Sequence, residues 1–269
     1  MGSYDLTGRK ALVTGGARGL GAGMAQALRA AGADLVIGDI QEDLGRATAD
    51  ELNASGDGGK AGFVRLDVTD DASWEEAVRQ AIEQLGGLDI VINNAGVEVT
   101  SLVVDLDAES VRKMLDVNLL GTALGIKHAF RAMRPGGPAG AGGAVVNIAS
   151  VAATIAFPGI SVYSATKSGV DRLTRVAAME SGKLGYGVRV NCVYPGLVPT
   201  EMGNQLAQDV ARLGLFPSVE EAVGAVIGLT PQGRLGDVTD MADAVVFLVS
   251  DSARFITGAG LPVDGGMGM

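Results

Sequence analysis

Arg9-Lys-Ala-Leu-Val-Thr14-Gly15-Gly-Ala-Arg18-Gly19-Leu20-Gly21 runs from a short apolar stretch into closely spaced glycines, and a helical pattern follows over residues 20–31. The stretch reads as strand, glycine turn and helix. Glycines let the backbone turn sharply and approach a pyrophosphate, whose charge meets the amides and the positive dipole end of the helix. The spacing Gly15-x-x-x-Gly19-x-Gly21 is one residue longer in its first gap than the common dinucleotide fingerprint. Gly15, Arg18, Gly19, Leu20 and Gly21 are therefore the first candidate cofactor contacts.

Working outward, Asp34-Leu-Val-Ile-Gly-Asp39 is a second apolar run that ends in an acid about twenty residues after the turn, where a ribose hydroxyl is held. Asp39, with Ile40 beside it, would bind the adenosine ribose and repel a 2′-phosphate, which favours NAD over NADP. Arg18 pulls the other way, because a guanidinium can serve a 2′-phosphate. Strands and helices then keep alternating. A helix over 41–52 leads through a turn-rich loop at 53–59 to a strand over 62–66, which ends in Asp67-Val68 where an adenine would lie. A helix over 71–85 leads to a strand over 88–92 and the turn Asn93-Asn94-Ala95-Gly96. The small residues there would lie close to a cofactor, and the Asn side chains would tie neighbouring strand ends together; binding and structural roles both stand.

The longest helical pattern spans 107–134, with Asn118 inside it as either a kink or a site residue. His128 on the same helix is expected to pack, with no catalytic role. A glycine-rich connection at 134–143 leads to a strand over 143–150, a helix over 163–182 and a strand over 187–193. Tyr194-Pro195-Gly196-Leu-Val198-Pro-Thr200 closes that strand. Two short amphipathic helices over 204–216 and 219–229 make residues 201–234 a lid. Met202, Leu206, Leu213, Leu215 and Phe216 would face an apolar substrate there, or simply pack. A helix over 237–250 and a strand over 260–264 finish the chain, and with no internal repeat it reads as one domain over 1–269.

The chemistry concentrates in Ser150-Val-Ala-Ala-Thr-Ile-Ala-Phe-Pro-Gly-Ile-Ser-Val-Tyr163-Ser-Ala-Thr-Lys167. Tyr163 and Lys167 are one helical turn apart on one face. A free tyrosine ionises near pH 10, and a cation held beside it lowers that value toward the working range. Ser150 ends a strand, where its hydroxyl would hydrogen-bond the same substrate oxygen.

Composition narrows the partners. A formal charge of −10, with no cluster of Lys or Arg, opposes nucleic acid and anionic membrane surfaces. The single cysteine, Cys192, cannot form an intrachain disulfide and reads as a buried thiol. One His and one Cys exclude a His/Cys metal site, so no metal is expected. No apolar run reaches membrane-spanning length and the first ten residues lack a signal-peptide core, so a cytoplasmic protein is expected.

Taken together, Thr14-Gly15-x-x-x-Gly19-x-Gly21, Asp67-Val68, Asn93-Asn94-Ala95-Gly96, Asn118, Ser150, Tyr163-x-x-x-Lys167, Pro195-Gly196-x-Val198-x-Thr200 and Asp264-Gly-Gly266 resemble a short-chain dehydrogenase/reductase of the single-domain type. The resemblance implies a Rossmann-type α/β fold, doubly wound, with seven parallel strands in the order 3-2-1-4-5-6-7. It implies Tyr163 as the acid/base, Ser150 orienting the substrate oxygen, and Lys167 binding the nicotinamide ribose. Asn118 would hold a water beside Lys167, and Val198 and Thr200 would meet the nicotinamide. It implies a homotetramer or dimer built on the helices at 107–134 and 163–182. The reading that follows is an NAD-dependent dehydrogenase of an apolar secondary alcohol or ketone: a hydroxysteroid, terpenoid, cyclic or aryl alcohol. A 3-oxoacyl-type reductase and a non-catalytic dinucleotide sensor are the alternatives.

Overall fold

The structure, a computed structural model, describes residues 4–56, 58–140 and 142–269. Residues 1–3, Asp57 in the 53–59 loop and Ala141 in the 134–143 connection lie outside the described residues. β1 (Lys10–Thr14) shows why its sequence is apolar without alternation. Ala11 and Val13 enter one core and Leu12 the opposite one, each fully buried, so both faces of the strand are covered.

The glycine turn leads into α1 (Gly19–Ala30), and the strand–helix alternation continues through β2 (Asp34–Asp39), α2 (Glu42–Ala54), β3 (Ala61–Arg65), α3 (Asp71–Leu85) and β4 (Ile90–Asn93). The segment after β4 forms α4 (Ala108–Met114), a π-helical turn over Leu115–Leu120, and α5 (Gly121–Met133). β5 (Gly143–Ile148), α6 (Ser161–Leu184), β6 (Val188–Pro195), α7 (Glu201–Arg212), α8 (Val219–Leu229), α9 (Val238–Val249) and β7 (Gly260–Val263) complete the order. The seven strands pair in parallel as β3-β2-β1-β4-β5-β6-β7, the predicted order. α1, α2 and α9 cover one face through Met24, Leu28, Leu52, Val245 and Leu248. α3, α5 and α6 cover the other through Trp74, Phe130, Met133 and Ala177. The order reverses between β1 and β4, and the crevice at their carboxyl ends is where such a sheet binds its ligands.

Two elements differ from their sequence reading. The pattern over 107–134 is not one regular helix: the π turn interrupts it at Asn118, which is completely buried. Such turns widen a helix by one residue and recur at functional sites. The first lid helix starts at Glu201 rather than 204, because the Thr200 hydroxyl accepts the Gly203 N–H at 3.3 Å and caps it. The helix also stops at Arg212, so Leu213 to Phe216 lie in the connection to α8.

Candidate active site

At the mouth of the crevice, the Gly15 N–H donates to the Gly38 carbonyl at 2.8 Å, and its φ of +60° suits a residue without Cβ. A methyl group on Gly15 would lie 2.8 Å from the Ala95 Cα, and one on Gly21 would overlap the Gly15 carbonyl oxygen. The turn is thus as tight as its spacing implied. It presents the start of α1 with no acidic residue in the first turn and no side-chain cap from Arg18, so the first amides remain for an anion.

Asp39 ends β2 almost fully buried, accepting the Ala17 N–H at 3.1 Å on Oδ2 and the Gln41 N–H at 3.0 Å on Oδ1. Both carboxylate oxygens keep a lone pair. Ile40 beside it is exposed, and Leu20 is half-buried against the core. The Arg18 guanidinium pairs with Glu201 at the head of α7. Gly19 faces Thr200, whose Cγ2 would lie 3.8 Å from a methyl on that glycine, so the glycine turn and the residue that caps α7 stand close together. Free helix amides, a turn without room for side chains and a fixed carboxylate at the end of β2 fit a dinucleotide.

Asp67 is committed to its own turn, accepting the Thr69 N–H at 3.0 Å and the Thr69 hydroxyl at 2.7 Å, and Val68 is buried against Trp74. The Asn pair ties strand ends together. Asn93 Nδ2 donates to Asn147 Oδ1 at 2.8 Å, joining β4 to β5. Asn94 Nδ2 donates to the Thr14 and Gly15 carbonyls at 2.9 and 3.0 Å, while Thr14 Oγ1 accepts the Asn94 and Ala95 N–H groups. Pro195 ends β6, the N–H of Gly196 just past it donates to the Val263 carbonyl at 3.1 Å, and Val198 is buried beyond them.

The structure brings Ser150, Tyr163 and Lys167 into one neighbourhood. Ser150 lies two residues past β5, its Oγ accepts the Ala152 N–H at 3.1 Å, and its hydroxyl favours ionisation of the Tyr163 phenol. One turn along α6, the buried Lys167 Nζ donates to the Ile148 carbonyl at 2.7 Å and stands 5.5 Å from the Tyr163 ring centroid. Asn118 closes the far side. Its Oδ1 accepts the Val97 N–H at 2.8 Å, and its Nδ2 donates to the Val97 carbonyl at 2.9 Å and to Thr166 at 3.1 Å. The amide therefore holds the 96–98 backbone in place. Gly96 makes the closeness possible: a methyl there would lie 3.4 Å from Asn118 Oδ1 and 3.5 Å from Lys167 Nζ.

The electrostatics differ from the sequence expectation. Burial pushes the Tyr163 phenol up to about 12, with Ser150 opposing and the Glu98 charge adding to the rise. Burial also pushes Lys167 down to about 8. In the protein alone, desolvation outweighs the neighbouring ammonium. A lysine with a lowered folded pKa costs stability while protonated; the cost is full below about pH 8 and disappears as pH rises toward 10.5. Relative to Lys167→Met, the unfolding free energy of the unsubstituted protein is expected to climb by up to about 3 kcal/mol from pH 7 to 10.5. Urea denaturation across that window reads it directly. The loss of the Ile148 contact is independent of pH and drops out of the slope, so a flat difference would show that Lys167 titrates normally.

One residue of the site went unread in the sequence. Glu98, two positions after Gly96, is half-buried, and both its oxygens accept the Thr100 hydroxyl, at 2.9 and 3.0 Å. Its only signal was an acid directly behind a turn at a strand's carboxyl end. Around it, the Ser101 N–H donates to the Gly159 carbonyl at 2.8 Å, and the Leu213 and Leu215 side chains lie against Gly159. Phe216 stacks on Phe157 at 6.1 Å. Three of the five apolar lid candidates thus pack on the strip between Ser150 and Tyr163; Met202 is exposed. His128 packs, stacked on Trp74 and bonded to Asp71 at 2.7 Å, and Cys192 is a buried thiol.

Known proteins share this architecture. A family profile described as Enoyl-(Acyl carrier protein) reductase matches residues 15–268. A trans-4-hydroxycyclohexanecarboxylate dehydrogenase of Sinomonas cyclohexanicum is 40% identical over 260 residues, 95% of this chain and 91% of that one. A 3-alpha-(or 20-beta)-hydroxysteroid dehydrogenase of Mycobacterium tuberculosis is 38% identical over 267 residues, 98% of this chain and 91% of that one. The crystal structure of a short-chain type dehydrogenase/reductase from Mycobacterium marinum superposes with a TM-score of 0.86 at 31% identity, covering 98% of this chain and 97% of that one.

Proposed function

The chain belongs to the short-chain dehydrogenase/reductase family, and we propose that within it the protein is an NAD-dependent dehydrogenase of secondary alcohols on cyclic or other bulky apolar skeletons. It is an oxidoreductase of CH–OH groups that works with a nicotinamide dinucleotide. The observation that carries the finer reading is the convergence of Ser150, Tyr163 and Lys167 at the end of the crevice that Asp39 flanks.

The nicotinamide supplies the hydride acceptor and, in its oxidised form, a positive charge. Gly15 and the first amides of α1 would hold its pyrophosphate, Asp39 the adenosine ribose, Lys167 the second ribose, and Val198 and Thr200 the carboxamide. In oxidation, the phenolate form of Tyr163 takes the substrate hydroxyl proton while Ser150 donates to the same oxygen and fixes its distance from the Tyr163 oxygen. Lys167 steadies the phenolate's negative charge before that transfer. In the reverse direction Tyr163 returns the proton. Leu213, Leu215 and Phe216, above the Ser150–Tyr163 strip, supply the apolar walls, in keeping with the cyclohexane and steroid skeletons in the relatives' names. Exposed Leu115, Leu120, Val176, Met179 and Leu184 on the segments that carry Asn118 and Tyr163 support a homo-oligomer built on those helices.

Initial rates on a panel of cyclic, steroid and terpenoid secondary alcohols, with NAD and NADP side by side, test the reading. Activity with NAD clustered on one such class is expected. NADP preference, or activity on acyl-carrier substrates alone, would replace it with the reductase that the family profile's description suggests. The chain's charge of −10 speaks against that reductase, because an acyl carrier protein is itself acidic and needs a basic patch.

A further inference from the structure

Glu98 has no place in that chemistry, yet it stands at its centre. The 96–101 segment starts against Lys167 Nζ and Asn118, is clamped at Val97 by the Asn118 amide, and ends bonded through Ser101 to Gly159. Glu98 is therefore held on the wall between the lysine and the lid. Its charge is felt by Tyr163, and it feels that of Asp209 on α7. The two carboxylates differ in their partners. Asp209 is satisfied by Arg212 at 2.7 Å and Gln205 at 3.0 Å. Glu98 has the Thr100 hydroxyl and, among the described residues, no cation paired with it.

A carboxylate offers about four acceptor positions, and one hydroxyl fills a fraction of them. Removing a carboxylate from water without partners is costly, and that cost is normally offset by a donor. Among the described residues no side chain other than Thr100 donates to Glu98, whereas an alcohol bound at Tyr163 would lie beside it. Resting on the secondary-alcohol reading, we propose that Glu98 is the specificity residue of the substrate pocket, accepting a hydrogen bond from a second hydroxyl group of the substrate. The favoured substrates are then diols, with one hydroxyl at Tyr163 and Ser150 and the other at Glu98. Leu213, Leu215 and Phe216 cover the apolar skeleton between the two polar ends. A substrate carrying an anion at the second position is correspondingly disfavoured.

The test compares kcat/KM for cyclohexanol with that for the cis and trans isomers of cyclohexane-1,2-diol and cyclohexane-1,4-diol, in the unsubstituted protein, Glu98→Gln and Glu98→Leu. At pH 8 and above, where Glu98 is ionised although burial pushes it up to about 7, the best diol is expected to exceed cyclohexanol by roughly tenfold or more, the worth of one hydrogen bond to a charged group. Glu98→Leu is expected to bring that ratio to about 2, the statistical value for two equivalent hydroxyls, with Glu98→Gln in between because a neutral amide oxygen still accepts. An unsubstituted ratio near 2, or a ratio that Glu98→Leu leaves unchanged, overturns the inference while turnover of cyclohexanol keeps the dehydrogenase reading. If Glu98→Leu does not fold, Glu98→Gln decides: a severalfold loss upholds the inference and an unchanged ratio overturns it. No turnover of any of these alcohols with either cofactor overturns the reading of the function, and the inference with it.

Discussion

Tyr163→Phe is expected to lower kcat/KM for alcohol oxidation by about three orders of magnitude, within the range that general acid–base groups contribute, while leaving dinucleotide affinity unchanged. The substitution removes one oxygen and little else. The phenyl ring keeps its place 5.5 Å under Lys167 Nζ, and the bond from Thr166 Oγ1 to the Tyr163 carbonyl, at 2.7 Å, involves backbone only. Ser150 keeps its bond to the Ala152 N–H. A parallel titration of NADH fluorescence separates chemistry from binding. The pH profile adds a second readout. Because burial holds the phenol high, oxidation in the unsubstituted protein should gain with rising pH as the phenol ionises more readily. The residual rate of the Phe variant should lack that gain. Retained turnover would remove Tyr163 from the proton path.

The parts legible in the sequence were those in which one residue type meets one physical demand. Gly15 and Gly21 were readable because a positive φ and an overlapping Cβ exclude other residues. The covered parallel sheet followed from β1, whose unbroken apolar run needs cover on both faces, and from strands that alternate with helices, whereas the strand order came from the family resemblance alone. Tyr163 and Lys167 were readable because helical spacing puts them on one face. What stayed hidden depends on partners distant in the chain. The π turn was only partly legible: residues 107–134 read as a single helical pattern, with Asn118 marked as a kink or a site residue and nothing to choose between the two. Lys167 meets the Ile148 carbonyl, and backbone acceptors have no sequence signature. The direction of the Tyr163 shift was missed because it turns on how much water the walls exclude, which spacing does not report. Glu98 looked like any loop acid until the fold placed it beside Tyr163.

The same dependence on distant partners bears on cofactor choice, where Asp39→Asn is expected to cut the preference for NAD over NADP, as a ratio of kcat/KM, by about a hundredfold. A unit charge roughly 6 Å from a 2′-phosphate, at an effective dielectric near 20, repels it by about 3 kcal/mol, which is a factor of about a hundred. Asparagine keeps the shape and removes the charge. Its amide cannot accept from both the Ala17 and Gln41 N–H groups that the carboxylate holds at 3.1 and 3.0 Å, so a loss of about 1 kcal/mol in stability should accompany the change. Thermal melting of the variant without cofactor isolates that cost. Arg18, the cation in the turn, is not expected to rescue NADP in the unsubstituted protein, because its guanidinium is engaged by Glu201. Adding Glu201→Gln to Asp39→Asn frees that guanidinium, so the double variant should move furthest toward NADP, beyond the sum of the two single changes. Glu201→Gln alone should do little while the Asp39 charge remains. An unchanged ratio in Asp39→Asn would take discrimination away from the end of β2, and additivity in the double variant would show that Arg18 does not reach the 2′ position even when released.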